Sequence, residues 1–250
     1  MRAQTAAFEE SSHSGLATLP FGREHIDGAS ALLVTFPRLR VGRTRPSFGL
    51  RRHLYGIRAH RLYLGADEYK FIGPGRRLDG LATAVELVEL ESKALEVPRE
   101  RIICLGTSMG GVLALMTGLS YGAGRIVVGA TPFRVGSALK RFIHKERLSG
   151  AKKQTPWLIE LAKSDEGGDP VEFLDRTIFD LAARCAHPCR VDVLISPRDF
   201  AASSAAEFAE RAAGNPLLEV ALHQSEYVRH ADVGDAFYPF LRELLARGSV

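Results

Sequence analysis

The residues best suited to chemistry in this chain of 250 are a serine, an aspartate and a histidine that lie far apart in sequence. Ser108 sits in the run IICLGTSMGGVLAL (102–115), with Gly106 two residues before it and Gly110 two residues after. A hydroxyl is a poor nucleophile until a base removes its proton, so a reactive serine calls for a histidine and for a carboxylate to orient that histidine. Both follow in the order serine, aspartate, histidine: Asp199 in LISPRD about ninety residues on, and His230 in YVRHAD about thirty further. Such a set can carry out nucleophilic catalysis through a covalent intermediate on the serine.

Three residues can act together only if the elements around them bring them together. G-x-S-x-G carries weight only where a strand turns sharply into a helix, and RIICL before it with MGGVLALMTGL after it predict that turn. Glycines on either side permit the close backbone approach of such an elbow, while the serine is held in a strained conformation. The first free N–H groups of the helix, with the positive end of its dipole, then favour a developing oxyanion at the same point. Asp199 falls just past the predicted strand RVDVLIS, and His230 past the strand LLEVALHQ and the loop SEYVR. The competing acid, Asp192, lies within a strand and reads as a strand-end or edge residue. His223 reads as a packed or surface side chain, and His144 and His187 as residues of an insertion. Asp232 and Asp235 read as caps of the terminal helix VGDAFYPFLRELLARG.

Other strands are predicted at SALLVTF, HRLYLGA and RIVVGA. A helix from Asp79 places Leu81, Val85, Val88 and Leu95 on one face and stops before Pro98, and VEFLDRTIFDLAARCA and SAAEFAERAA predict two more. FGLRRHLYGI fits either a short helix or an irregular crossover. The alternation of strands and helices implies an α/β domain with a mostly parallel sheet covered on both faces.

With GTSMGG as nucleophile elbow, LISPRD as acid turn and YVRHAD as histidine loop, the chain resembles the α/β-hydrolase superfamily over about residues 29–250. The resemblance implies one α/β-hydrolase domain over 1–250, a mostly parallel central sheet flanked by helices. Residues 1–28 would be an N-terminal extension or the first strands, and 133–172 a cap or lid insertion. It also implies that Ser108 attacks, that His230 acts as general base and then acid, and that Asp199 holds the imidazole. The N–H of Met109 would be one oxyanion donor and that of Phe36 the other, since Pro37 has none. Most lipases and esterases carry a His-Gly pair where this chain has TFPR. More narrowly, LLVTF, RLYLGADEYKFIG, a long helix and GTSMGG are similar to the hydrolase-like proteins of bacterial capsular polysaccharide biosynthesis and accessory glycoprotein secretion. There an Asp and a Tyr follow the second strand, which fall here on Asp67 and Tyr69. That likeness implies a glycan O-acyl group as substrate, with Thr107, Tyr69, Trp157 and Arg38 as candidate substrate contacts.

Charge narrows the partners. The net charge is +4, yet Arg38, Arg40, Arg43, Arg45, Arg51, Arg52, Arg58 and Arg61 occur together with no acidic residue among them. Such a run is either a solvated face or a field that steers an anion, and a second basic run in the insertion includes Lys140, Arg141, Lys145, Arg147, Lys152 and Lys153. The two together favour an anionic ester or thioester, or an acylated sugar acid, as the small-molecule or glycan partner. Without a helix-turn-helix, zinc-finger or aromatic RNP pattern, nucleic acid is not expected. Neither an H-E-x-x-H nor a clustered ligand spacing occurs, so no metal and no cofactor are expected. No window approaches a transmembrane segment and MRAQTAAFEESSHSG lacks a signal-peptide core, so a cytoplasmic location is expected. Cys104, Cys185 and Cys189 read as structural or incidental. Assembly into a homo-oligomer stays open. The expected activity is that of a serine esterase or deacylase. An O-acyltransferase on the same fold is the first alternative, and a weakly catalytic protein that binds a polyanion or a partner enzyme through Arg51 and Arg52 is the second.

Overall fold

The strands of this chain are buried along their whole length where they are runs of branched and leucine-rich residues, as at 32–36, 60–64 and 102–107, and exposed where they are polar, as at 9–14. In the computed structural model, which describes residues 8–15, 18–38, 48, 50–65, 78–148 and 170–247 (only the backbone for 142–148 and 170), these strands form one eight-stranded sheet. Its members are β1 (Glu9–Ser14), β2 (Thr18–Glu24), β3 (Leu32–Phe36), β4 (His60–Leu64), β5 (Ile102–Thr107), β6 (Arg125–Gly129), β7 (Cys189–Ile195) and β8 (Leu218–Gln224). Their order is β1-β2-β4-β3-β5-β6-β7-β8. From β4 to β8 every neighbouring pair is parallel, whereas β1 and β2 form an antiparallel hairpin whose second strand joins β4 antiparallel. That hairpin accounts for most of residues 1–28 that the structure describes.

Alternate residues of a strand face opposite sides of a sheet, and here both sides are apolar. Leu32, Val34, Ile102, Cys104, Val128 and Val193 pack against α1 (Asp79–Ala94), α2 (Met109–Tyr121), α4 (Pro170–Ala183) and α5 (Ala202–Ala212). Between α2 and α4, α3 (Val135–Leu148) buries Val135 and Leu139 in the same core. On the other face Leu33, Tyr63, Ile103, Leu105 and Val127 meet α6 (Val233–Arg247) and a 3₁₀ turn at Arg51–Leu54. That turn occupies the segment for which the sequence left two readings. In α1, Leu81 and Val88 are buried as the helical period predicts, with Ala84, Leu87 and Glu91 widening the buried face. The three cysteines are free and buried, and burial pushes the Cys189 thiol up to about 12. No helix among the described residues is long and apolar enough to cross a membrane.

The connections decide where a site can form. Leaving β3, the chain moves one way to β4, then crosses back through α1 to β5 on the other side of β3. The carboxyl ends of β3 and β5 therefore diverge at a topological switch point, the crevice in which open α/β sheets bind ligands.

Candidate active site

Ser108 is the single residue between β5 and α2, with φ 54° and ψ −127°. An L-residue rarely occupies that conformation, and its neighbours enforce it. The Ser108 N–H donates to the Gly129 carbonyl at 2.9 Å, and the Ser108 carbonyl accepts the Gly111 and Val112 N–H groups at 3.0 and 3.2 Å. Glycine is required twice at this turn: a Cβ on Gly106 would overlap the Gly110 carbonyl, and one on Gly110 would stand 2.6 Å from the Phe36 carbonyl and 2.7 Å from that of Pro37. The chain leaving β3 is thus pressed onto the first turn of α2. Phe36 itself lies within the strand, in register with Gly106. Arg38, beyond Pro37, is exposed. Thr107 is buried opposite Gly129.

A different element carries Asp199. After β7 the chain turns with the Asp199 N–H donating to the Ser196 carbonyl at 2.9 Å, and the side chain is fully enclosed. Its Oδ1 accepts the Ala201 N–H at 2.9 Å, and its Oδ2 accepts the Tyr227 hydroxyl at 3.1 Å. His230 opens a 3₁₀ turn (His230–Asp232) between β8 and α6. Arg229 braces that turn from within, its guanidinium donating to both carboxylate oxygens of Asp232 at 2.8 and 2.9 Å. Asp232, expected as a helix cap, instead closes this clasp. Below it, Gly129 leaves room for Phe237 and Val233 at the end of β6. α6 therefore seats directly beside the serine turn.

These three elements bring the three side chains together. His230 Nδ1 lies 3.0 Å from Asp199 Oδ2, and Nε2 lies 2.9 Å from Ser108 Oγ. With Nδ1–H directed at a carboxylate, the lone pair is on Nε2, where the serine hydroxyl can donate to it. Burial alone would push the Asp199 carboxyl up. Hydrogen bonds from His230, Ala201 and Tyr227 outweigh it and hold the group below the usual carboxylate range, so the carboxylate stays ionised beside the imidazole. Tyr227 is a partner that sequence reasoning missed, although it stands three residues before His230. Phe200, also missed, packs against the imidazole with ring centroids 4.8 Å apart and the rings tilted by 40°.

The competing residues are engaged elsewhere. Asp192 is no edge residue: it sits in the middle of β7, fully enclosed, with Arg125 Nε at 2.8 Å and His223 Nε2 at 2.8 Å. His223, read as a packed or a surface side chain, is about one-third exposed, with its ring against that of Phe240 at 4.8 Å and tilted by 51°. His187 lies after α4, against Arg99 at 2.8 Å, and not in the insertion. The side chain of His144 is outside the described residues, as are Tyr69, Asp67 and Trp157. The arginine run is only in part a steering field. Arg51 and Arg61 donate to Glu24 of β2 at 2.8 and 2.6 Å, so the acidic partner absent from the run is supplied by another strand. Arg40, Arg43 and Arg45 are outside the described residues.

The Asp192 cluster yields a prediction about acid stability. Burial pushes its carboxyl up, but hydrogen bonds from Arg125 and His223 outweigh this and hold it below the ordinary 3.8. The unfolded chain then binds more protons than the folded one between those values, so stability is complete above about pH 4 and is lost as pH falls through the folded value. Asp192→Asn is expected to lower stability at neutral pH by about 2 kcal/mol, through the partly buried Arg125 guanidinium left without its charged partner, and to flatten the decline in acid. Thermal unfolding at pH 7 and pH 3.5 checks both, and an unchanged acid slope would refute the assignment.

No protein-family model matches the sequence, and no curated protein matches it. Solved structures do match. Capsule O-acetyltransferase of Neisseria meningitidis serogroup A in complex with CoA is 13% identical with a TM-score of 0.73, over 95% of this chain and 94% of that one. The esterase Pf2001 of Pyrococcus furiosus is 18% identical with a TM-score of 0.57, over 97% of this chain and 91% of that one. The Gap123 complex of Streptococcus agalactiae is 16% identical with a TM-score of 0.70, and the match covers 96% of this chain but 47% of that one. What all of these share with the present chain over nearly its whole length is a backbone, and that backbone is the α/β-hydrolase fold.

Proposed function

We propose that this protein is a serine esterase-type enzyme that transfers acyl groups through a covalent intermediate on Ser108. The observation that carries the reading is the 2.9 Å approach of His230 Nε2 to Ser108 Oγ, with Asp199 behind the same imidazole. His230 takes the serine proton as Oγ attacks the acyl carbonyl, then returns it to the departing oxygen or sulfur. Asp199 and Tyr227 keep the imidazole oriented and stabilise its charged form. The tetrahedral oxyanion is met by the Met109 N–H, one of the first in α2 and so without a carbonyl inside the helix. The chain leaving β3 supplies the second donor, from Phe36 or from Arg38 beyond Pro37. A donor of this kind contributes roughly 3 kcal/mol to the barrier.

An anionic ester or thioester is the substrate class proposed, with water as acceptor or, in the acyltransferase form, a glycan hydroxyl. Its support is the likeness to a capsule O-acetyltransferase bound to CoA and the exposed cations at Arg38 and Arg141. The polyanion-binding alternative loses ground because Arg51 is tied to Glu24. A fluorophosphonate probe is expected to add once, on the peptide containing Ser108, as mass spectrometry of the digested protein would read. A folded sample that takes no label would refute the proposal.

A further inference from the structure

The leaving side of the reaction is marked by two residues that no part of the triad requires. To receive its proton, the leaving atom must come within about 3 Å of His230 Nε2. Phe200 covers a face of that same imidazole, tilted 40° to it, and keeps 42% of its own surface exposed. Phe200 is thus an apolar surface directly beside the histidine, open to contact by a bound group. Phe200 is therefore among the side chains within reach of whatever the leaving atom carries. Above that ring lies the Arg141 guanidinium of α3, 5.7 Å from its centroid and within cation–π range.

The surrounding arginines set Arg141 apart. Arg134 and Arg211 share the Glu207 carboxylate, Arg229 grips Asp232, and Arg176 pairs with Glu172. Among the described residues no carboxylate pairs with Arg141, which is exposed. A planar guanidinium held against an aromatic ring keeps its fork of donors for an incoming carboxylate or phosphate.

We propose that Phe200 and Arg141 form the leaving-group subsite of the Ser108 centre and select esters or thioesters whose leaving group bears a carboxylate or phosphate. The inference rests on the acyl-enzyme reading above and adds direction to it: the negative charge lies on the departing alcohol or thiol, and the acyl group lies away from Arg141.

Three aryl acetates with leaving phenols of matched acidity test it, one neutral, one carrying a carboxylate and one a phosphate. Arg141→Gln is expected to lower the ratio of anionic to neutral kcat/KM about tenfold, Arg141→Glu to lower it further, and Arg141→Lys to restore part of it. Because a structural role would depress all three esters together, the ratio is the readout. A response with only one of the two anions identifies which is selected. Turnover with a ratio unchanged in both the Gln and Glu variants would overturn the subsite alone. Wild-type protein that turns over none of the esters and takes no fluorophosphonate would overturn the acyl-enzyme reading, and the subsite with it.

Discussion

Replacing His230 with alanine is expected to lower kcat for ester turnover about a million-fold, as is Ser108→Ala, and the double variant is expected to be no worse than either. The reason is that base and nucleophile act as one unit: without His230 Nε2 at 2.9 Å the serine hydroxyl keeps its proton, and without Oγ the base has nothing to activate. Asp199→Asn is expected to cost about 10⁴, because its amide can donate toward His230 Nδ1 and turn the imidazole to the wrong tautomer. His230 is partly exposed, but its removal takes a partner from the enclosed Asp199 carboxylate, so its alanine variant should stay folded and melt below wild type. Steady-state kinetics with a simple aryl acetate, alongside thermal unfolding, measure both. Residual activity of a few per cent in a well-folded His230→Ala protein would show that another group serves as base.

The second large effect belongs to the elbow. Gly106→Ala is expected to destabilise the protein by about 3 kcal/mol or more, since its methyl group would overlap the Gly110 carbonyl and stand 2.7 Å from the Gly111 nitrogen. Both obstacles are backbone atoms at the start of α2, and neither can step aside without moving Met109 and Ser108. Gly111→Ala offers the contrast. There the added methyl meets the Thr131 side chain, so shortening that residue by Thr131→Ala should recover much of the loss. The same second substitution should do nothing for Gly106→Ala. Urea unfolding of the four variants separates the cases. Rescue of both glycine variants by Thr131→Ala would contradict the reading of the elbow as a backbone-to-backbone approach.

Burial explains which parts could be read from sequence. Strands β3, β5, β6 and β7 are inside on both faces, so they appear as continuous apolar runs, and the turns after them stand out by their glycines, prolines and acids. Ser108 and Asp199 stood out as candidates because each follows such a strand, whereas His230 follows the half-exposed β8 and stood out by its order after the other two. The hairpin was not: β1 reads EESSHS, an exposed edge strand with no apolar face to betray its period. Arg51, Arg61 and Asp192 were misread for one shared reason. Their tightest counter-charges come from other strands, Glu24 on β2 and Arg125 on β6, and no local window holds both members of those pairs, although Arg190 on β7 adds a looser contact to Asp192 at 3.3 Å. Phe200 and Tyr227 look like ordinary loop aromatics until the fold sets them around His230 and Asp199.

The serine turn and the histidine turn are separated by 122 residues, and the carboxylate reaches the imidazole from 31 residues away. Contacts between segments this far apart in sequence need the intervening elements to be in place before they can form. A partly folded chain can own the elbow, with its glycines and its helix, yet remain inert until β7 and β8 have docked and α6 has seated beside Gly129. On the acyl-enzyme reading proposed above, reactivity at Ser108 would report completed folding, with no armed nucleophile while the interior is still open.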